Sequence, residues 1–224
     1  MQPAPTPPDK WLTFGLAFVG GYGDAAGFVL AKTFTGHITG SLVLAAITIA
    51  AHNWRGTVGH LSAVLCFLIG VLLSVLIARL APAVTLWPHL PAALGAEMIL
   101  IVAAYLALAS RSATGIEMFV VCLSLAMGMQ NGAFRRTGGI SVHTNYLTGM
   151  ITGMIAAKAE GYASPAVSIV KAPDSKVSLL CGIWIAFFLG AGIGAAMVLH
   201  FKELGVLGAA LLLLAIIVHS FRSP

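Results

Sequence analysis

The stretch "GGYGDAAGFV", residues Gly20–Val29, places Asp24 inside an apolar run of membrane length. A charged side chain at such depth costs about 2.5–3.5 kcal/mol or more, and side chains of this kind usually face a cavity or a partner. A second stretch, "GMQNGAFRR" from Gly128 to Arg136, repeats the phrase with Asn131 in place of the aspartate. We therefore expect Asp24 to mark a functional site and the chain to contain two related halves.

Composition identifies the class of protein. Hydrophobic residues make up 59% of the 224, charged residues only 8%, and the mean hydropathy is +0.98, whereas about a quarter of the residues of a soluble domain are charged. Long apolar runs with short polar joints favour membrane-spanning helices over an alternating β-barrel. The sequence predicts an all-α integral membrane protein. The net charge of +5 fits basic loops that set topology, so no nucleic-acid partner is expected.

The chain divides into eight apolar segments. The second and sixth have only about fourteen or fifteen residues, which is too short to cross a bilayer comfortably. We expect these two to be re-entrant or broken helices, and the other six to span the membrane. The segments are Trp11–Leu30, His37–Ala51, Thr57–Leu80, Pro91–Ala109, Ile116–Phe134, Thr144–Ala157, Ser178–His200 and Leu204–Ser220.

Three phrases recur in the same order and indicate a duplication. They are "GYGDAA" (Gly21–Ala26) with "GMQNGA" (Gly128–Ala133), "TGHITG" (Thr35–Gly40) with "TNYLTG" (Thr144–Gly149), and "FLIG" (Phe67–Gly70) with "FFLG" (Phe187–Gly190). A repeat of this kind suggests two halves that form one membrane domain. We predict a Pro-rich, disordered tail over residues 1–10, a first repeat over 11–110 and a second over 111–224.

The basic residues favour six crossings over eight. Cytoplasmic loops carry an excess of Lys and Arg. Eight crossings divide the twelve residues seven to five, whereas six crossings divide them eight to four. The six-crossing arrangement makes the repeats inverted, as in many secondary transporters, and it places the N- and C-termini in the cytoplasm. Its cytoplasmic set is Lys10, Arg79, Arg135, Arg136, Lys158, Lys171, Lys176 and Arg222, and its outer set is Lys32, Arg55, Arg111 and Lys202.

The two "T-x-x-[IL]-T-G" phrases are candidate binding elements. Each is expected to begin a short helix, whose unpaired N–H groups and positive dipole end favour an anion or a polar oxygen. Hydroxyl groups, a histidine, an amide and two small residues would line such a site; the residues are Thr35, His37, Thr39, Gly40, Thr144, Asn145, Thr148 and Gly149. Helix capping and close helix packing by small residues are the structural alternatives.

Polar residues within the apolar runs complete the candidate site. Asp24 is interpreted either as a proton-coupling or cation-coupling carboxylate or as a direct substrate ligand; alternatively it is a structural partner, for example of Arg135. Asn131 cannot titrate, and Gln130 either joins it in the cavity or hydrogen bonds between helices. Arg135 and Arg136 are read as cytoplasmic anchors or as an anion gate.

Two further groups of residues, the glutamates and the cysteines, have structural interpretations. Glu97 and Glu117 lie near segment starts, where exposure at the membrane interface and the helix dipole explain them. The three cysteines, Cys66, Cys122 and Cys181, lie in apolar runs and are expected to be small core residues. No metal-ligand spacing, nucleophile elbow, phosphate loop or dinucleotide fingerprint is present. We therefore expect no enzymatic activity, no metal and no cofactor.

The phrases "AFVGGYGDAAGF", "TGHITGSLVLA", "AMGMQNGAFRR" and "TNYLTGMITG" resemble the YoaK-like family of small bacterial membrane proteins, a family of unknown function. The similarity runs from about Trp11 to Phe221. It implies a multi-pass protein of the bacterial inner membrane with about six helices, and it brings no substrate. Where members of the family commonly have "TGN", this chain has "TGS" at Thr39–Ser41, while Asn145 retains an amide in the second half.

These patterns lead to a functional hypothesis. We expect a secondary transporter of a small polar or anionic solute, with its site between the two repeats and with coupling to a proton through Asp24. A passive channel and a non-transporting accessory or sensor protein are the alternatives. The expected partners are the lipid bilayer and a small-molecule or ion substrate. A homodimer is also expected from Gly-rich faces such as "GAGIGAA" at Gly190–Ala196.

Overall fold

A computed structural model describes residues 9–80, 90–137, 140–141, 149, 151–152, 155 and 174–222. Residues 1–8 of the predicted tail and most of the sixth apolar segment lie outside these residues. The last two residues of the predicted tail are ordered, because Asp9 caps the first helix and Lys10 begins it. The helices are α1 (Lys10–Ala31), α2 (Ile38–Ala50), α3 (Trp54–Leu80), α4 (Leu90–Ala109), α5 (Gly115–Ala133), α6 (Asp174–Phe201) and α7 (Leu207–Arg222), with a 3-10 helix at Lys202–Val206. After α5, strand β1 (Arg136–Thr137) pairs with β2 (Ile140–Ser141) in an antiparallel ladder.

Five described stretches are long and apolar enough to cross a membrane. Four are α1, α3, α4 and α5, and the fifth, Val177–His219, combines α6, the 3-10 helix and α7. By contrast, α2 has 13 residues, a length of about 20 Å at 1.5 Å per residue, which is less than the ~30 Å hydrocarbon core. The expectation of a helical membrane protein is confirmed.

The helices α1 and α5 form the centre of the bundle. Over half of the apolar window of each is buried, 56% and 61%, compared with 22% for α3 and 28% for α4. Large aliphatic side chains cover the outside of the peripheral helices; examples are Leu65 and Leu72 of α3 and Ile99 of α4. A surface of this kind suits lipid, which does not penalise exposed apolar groups.

Two helix seams depend on glycine. In the α1–α6 seam, Gly190 faces the carbonyl oxygen of Phe18, and in the α3–α5 seam, Gly128 faces that of Phe67. A Cβ atom at either glycine would overlap the carbonyl oxygen, so the absence of a side chain allows the backbones to touch. Both pairs of helices run parallel.

The central helices α1 and α5 run antiparallel. The backbone N–H of Asp9 donates to Thr137 Oγ1 (3.0 Å), and Gln130 Nε2 donates to the carbonyl oxygen of Leu16 (2.9 Å). Residue numbers therefore fall along α5 as they rise along α1. A five-residue connection after α4 likewise makes α4 antiparallel to α5, since short loops join antiparallel neighbours. The helix α7 returns along α1, because Ile216 lies against Gly15 and the Tyr22 hydroxyl donates to the carbonyl oxygen of Gly205.

Candidate functional site

The connection between α1 and α2 folds back along α1. Lys32 ends α1 in the left-handed conformation (φ 55°), and its N–H donates to the carbonyl oxygen of Phe28 (2.9 Å). The chain then passes Gly27, where a Cβ atom would lie 2.8 Å from Thr35 Cγ2. The glycine thus gives the returning chain room, and α2 begins level with the middle of the bundle.

Asp24 holds the start of α2. Its Oδ1 accepts hydrogen bonds from the backbone N–H groups of Thr35 (2.9 Å), Gly36 (2.8 Å) and His37 (3.2 Å). Three donors and the positive end of the α2 dipole therefore converge on one carboxylate oxygen. The side chain is 5% exposed. This arrangement explains how the chain accommodates an intramembrane carboxylate: the N–H groups replace the water that a charge would otherwise need.

Arg135 is not among the hydrogen-bond partners of Asp24 that the structure describes. Its side chain is exposed, and its Nε donates to the carbonyl oxygen of Gly132 at 2.9 Å. Arg136, the second predicted gate residue, lies next to it in β1. The predicted ion pair between Asp24 and Arg135 is therefore not formed in the described structure. Backbone N–H groups bind the carboxylate instead of a cation.

The predicted residues of the first half divide between the interior and the surface. Thr35 is fully buried, and its hydroxyl donates to the carbonyl oxygen of Gly23 at a long 3.4 Å. The ring of His37 is half-buried and packs edge-on against Phe34 (5.7 Å), next to Gly40. Thr39 is exposed. The interior of the first site is therefore made by Asp24, Thr35 and the backbone, not by all of the predicted side chains.

The second half is described only in part. Gln130 is fully buried and bound to α1, and Asn131 is half-buried, with an Oδ1 that has no hydrogen-bond partner among the described residues. Gly149 is helical and exposed. The predicted residues Thr144, Asn145 and Thr148 lie outside the described residues.

Asp24 and Asn131 lie at different depths. Leu16 faces Gln130, and Gly23 faces Met127 across the antiparallel pair α1 and α5. Counting residues from these two contacts at 1.5 Å per residue separates Asp24 from Asn131 by roughly 7–13 Å along the bundle. The structure brings together Asp24 with the "TGHITG" phrase, and it holds Asn131 on the other side of the bundle's middle.

Glu97 is the residue that sequence reasoning missed. Its expected exposure at the interface is wrong, because the side chain is 0% exposed and neither carboxyl oxygen has a hydrogen-bond partner in the described chain. The signal was available in the helical spacing of the buried α4 residues, which are Leu90, Ala93, Leu94, Glu97, Ile101 and Ala104. Glu117 is exposed as expected and pairs with Arg55 at 2.6 Å.

One further buried polar contact and two of the cysteines lie outside the Asp24 region. Thr33 Oγ1 and His60 Nδ1 lie 3.1 Å apart, which ties the returning connection to α3. Cys122 is buried as expected, whereas Cys181 is exposed on the surface of α6. No three His, Cys, Asp or Glu side chains of the described chain come together as metal ligands do.

A cleft of about 450 Å³ opens at the end of the bundle where α1 finishes. Its polar lining comes from the α4–α5 connection and the 3-10 helix, and includes Arg111, Ser112, Lys202 and Glu203. The Asp24 carboxylate is not part of its wall. The cleft is a surface feature of the same end toward which α2 runs, since α1 and α2 both finish there.

Comparison with known proteins gives one curated relative and one family. The "UPF0700 transmembrane protein YoaK" of Bacillus subtilis (strain 168) is 29% identical over 143 residues, 62% of this chain and 63% of the relative, so the matched stretch spans less than two thirds of the relative's length. No solved structure matches the chain. The match to a protein family covers residues 12–219, which include all of the membrane helices except their outermost residues. The chain therefore belongs to the family described as "Protein of unknown function (DUF1275)".

Proposed function

We propose that this protein is a secondary transporter of a small anionic or polar solute, and that the solute binds at the start of α2. The observation that carries the proposal is the convergence of three backbone N–H groups on Asp24 Oδ1 inside the bundle. Half-helix starts near the bilayer midplane bind anionic groups of substrates in known transporter folds. The same N–H groups would bind a carboxylate or a similar oxyanion in place of Asp24.

The proposed binding step is an exchange of anions. In the described state, Asp24 occupies the donors, so the site is closed by the protein's own carboxylate. A solute with one small anionic group would displace it, while Asp24 rotates away or is neutralised. Competition of this kind would keep the buried donors satisfied in both states, which avoids the penalty for unpaired N–H groups.

The proposed alternating access rests on inverted repeats. The echoed glycines make matching contacts, because Gly21 and Gly190 lie in the α1–α6 seam and Gly128 and Gly70 lie in the α3–α5 seam. The first helices of the two halves, α1 and α5, run antiparallel, as an axis in the membrane plane requires. In this proposal α2 is re-entrant, the "TNYLTG" phrase begins its counterpart, and one half rocks against the other.

In the proposed orientation the protein lies in the bacterial inner membrane and both of its termini are in the cytoplasm. The bundle end at which α1 begins carries six described basic residues: Lys10, Arg79, Arg135, Arg136, Lys176 and Arg222. The opposite end carries four: Lys32, Arg55, Arg111 and Lys202. The excess supports a cytoplasmic position for the first end.

A thermal-shift screen tests the solute site. Purified protein and Asp24→Asn would be melted with formate, acetate, bicarbonate, nitrate and phosphate, with Glu203→Gln at the surface as the control variant. A ligand at 100 times its Kd stabilises the folded state by about 2.7 kcal/mol. We expect at least one anion to raise the melting temperature, and to do so at lower concentration in Asp24→Asn, because the competing charge is absent.

The active anion is then followed into proteoliposomes. Saturable uptake that exchanges with internal unlabelled anion supports a transporter, whereas unsaturated flux supports a passive channel. Equal shifts in Asp24→Asn and the parent chain would place the anion elsewhere. No shift with any anion, together with a stable partner recovered from membranes, would favour an accessory role.

Single-cysteine labelling tests the orientation. In a chain without the three native cysteines, cysteines at the exposed positions Lys32 and Asn53 should react with an impermeant maleimide from the outer side, and one at Asp9 only from the cytoplasmic side. Labelling of Lys32 and Asn53 from opposite sides would mean that α2 crosses the membrane and would overturn the inverted arrangement.

A further inference from the structure

Glu97 has a chemical environment that Asp24 does not share. Both of its carboxyl oxygens are buried and have no hydrogen-bond partner in the described chain, and the rest of the buried face of α4 is apolar. An ionised carboxylate without donors is strongly disfavoured in such surroundings. A carboxyl group in these surroundings therefore keeps its proton until water or a hydrogen-bond donor reaches it.

The neighbouring helix places a second unpartnered polar group at the same depth. Gly115 of α5 lies against the carbonyl oxygen of Ala107 (2.6 Å to its Cβ position). Ten residues back along α4, Glu97 is therefore level with residue 125 of the antiparallel α5. Ser124, one residue from that level, has a buried hydroxyl that also lacks a hydrogen-bond partner among the described residues. Gly23 contacts Met127, so the Asp24 region lies within about one helical turn of this depth.

No described cation compensates Glu97. The ionisable groups on the elements that pack against α4 are Glu117 and Cys122 of α5, His219 and Arg222 of α7, Lys202 and Glu203 of the 3-10 helix, and Arg55, His60, Cys66 and Arg79 of α3. Neither carboxyl oxygen of Glu97 has a hydrogen-bond partner among the described side chains of this set. The charged residues of this set that are placed at helix ends lie far from the middle of α4 along the bundle.

We propose that Glu97 is the proton-binding site of the transport cycle. The carboxylic acid holds its proton while the α4–α5 seam is dry. When the seam opens to water, the acid gives its proton to a water molecule, and water solvates the carboxylate that remains. The role of Glu97 in a transport cycle rests on the proposed transport function, whereas the protonated state of Glu97 does not.

The same comparison explains why Asp24 is the poorer proton site. Protonation of Asp24 would weaken three backbone hydrogen bonds at the start of α2, whereas protonation of Glu97 weakens none. The second half has no counterpart, since its phrase "LGAA" at Leu207–Ala210 has Ala210 where "LGAE" at Leu94–Glu97 has the glutamate. The matching position of the second half therefore carries no carboxylate.

Labelling with an apolar carbodiimide tests the bound proton without any transport. Dicyclohexylcarbodiimide enters lipid and forms a stable adduct with protonated, water-shielded carboxyl groups. We expect one adduct on Glu97, located by peptide mass spectrometry in proteoliposomes, that is lost in Glu97→Gln and declines at alkaline pH. Glu117 and Glu203 should react instead with a water-soluble carbodiimide. Labelling of Glu97 by the water-soluble reagent only would overturn the inference.

Infrared spectroscopy and uptake provide the second measurement. The carbonyl band of a protonated carboxyl should be present in the parent chain and absent in Glu97→Gln. Both Glu97→Gln and Glu97→Leu should fold, because Gln is a neutral side chain of the same size as the protonated acid and Leu leaves no polar group unpaired. Glu97→Gln should exchange the solute but lose acceleration by a pH gradient. Unchanged acceleration, or no difference in the carboxyl band, would refute the site. The carbodiimide adduct and the carboxyl band are expected even if the protein transports no solute. Failure of the transport proposal is therefore distinguishable from failure of the proton site.

Discussion

The two predicted repeats have similar glycine seams, but a different polar residue stands three positions after the first glycine of each. The glycines of the first phrase and of its echo, Gly21 and Gly128, both bring a carbonyl oxygen of a neighbouring helix into contact. Three residues after each, the first half has Asp24 bound to three N–H groups, whereas the second has Asn131, whose Oδ1 has no partner in the described part of the chain. Close helix packing therefore requires glycine at the seam positions Gly21 and Gly128 for the same reason. Among the described residues, the carboxylate bound to a helix start lies in the first half.

The largest effect is expected where the seams are broken. Gly190→Leu forces a side chain into the carbonyl oxygen of Phe18 and should destabilise the protein by more than roughly 3 kcal/mol, the upper end for an overpacked core. Gly192→Leu, two residues further along α6, is the matched control, because nothing lies within 4 Å of its Cβ position. Fluorescence-detected size exclusion in detergent should show a folded peak for the control only. Equal behaviour of the two variants would mean that the seam is looser than described.

Loss of the Asp24 acceptor should have the next largest effect. Asp24→Ala leaves buried N–H groups without an acceptor, at roughly 1–3 kcal/mol for one such group. Asp24→Asn keeps an oxygen at the position of Oδ1 and loses only the attraction of the charge to the helix dipole, typically about 0.3–1 kcal/mol. The melting temperatures should therefore rank parent, Asn variant, Ala variant. A ranking in which Ala equals the parent would remove the capping role.

A carboxylate in the second half sharpens the comparison. If Asn131 stands to the "TNYLTG" phrase as Asp24 stands to "TGHITG", Asn131→Asp meets backbone N–H donors and is tolerated. Gln130→Glu is the control: it removes the Nε2 donor to Leu16 and buries a charge at about 2.5–3.5 kcal/mol. We expect Asn131→Asp to lower the melting temperature much less than Gln130→Glu. Equal losses would contradict the repeat relationship at this site.

The smallest effect is expected at the surface pair that links the two halves. Arg55 and Glu117 are 80% and 44% exposed at the side chain, and exposed ion pairs contribute little because water and salt screen them. Arg55→Ala, Glu117→Ala and the double variant should melt at the temperature of the parent chain. A coupling that persists in high salt would show that the pair is more important than its exposure indicates.

The sequence by itself determined the class of protein and the main elements. Apolar runs of membrane length predict spanning helices because the bilayer core requires every backbone group to be bonded within its own helix. The short second segment, His37–Ala51, appears in the structure as α2 with ends moved by one residue. Asp24 was recognisable because a carboxylate in a long apolar run is expensive wherever it lies.

Only the tertiary structure decided what each buried carboxylate meets. Asp24 binds N–H groups eleven to thirteen residues further along the chain, and Glu97 binds nothing that the structure describes, although both lie in apolar surroundings. A sequence lists side chains but not the carbonyl oxygens and N–H groups that a returning loop brings to them. The partner of a buried charge depends on how helices pack and where the chain turns, because backbone donors are present at every residue and only the fold selects among them.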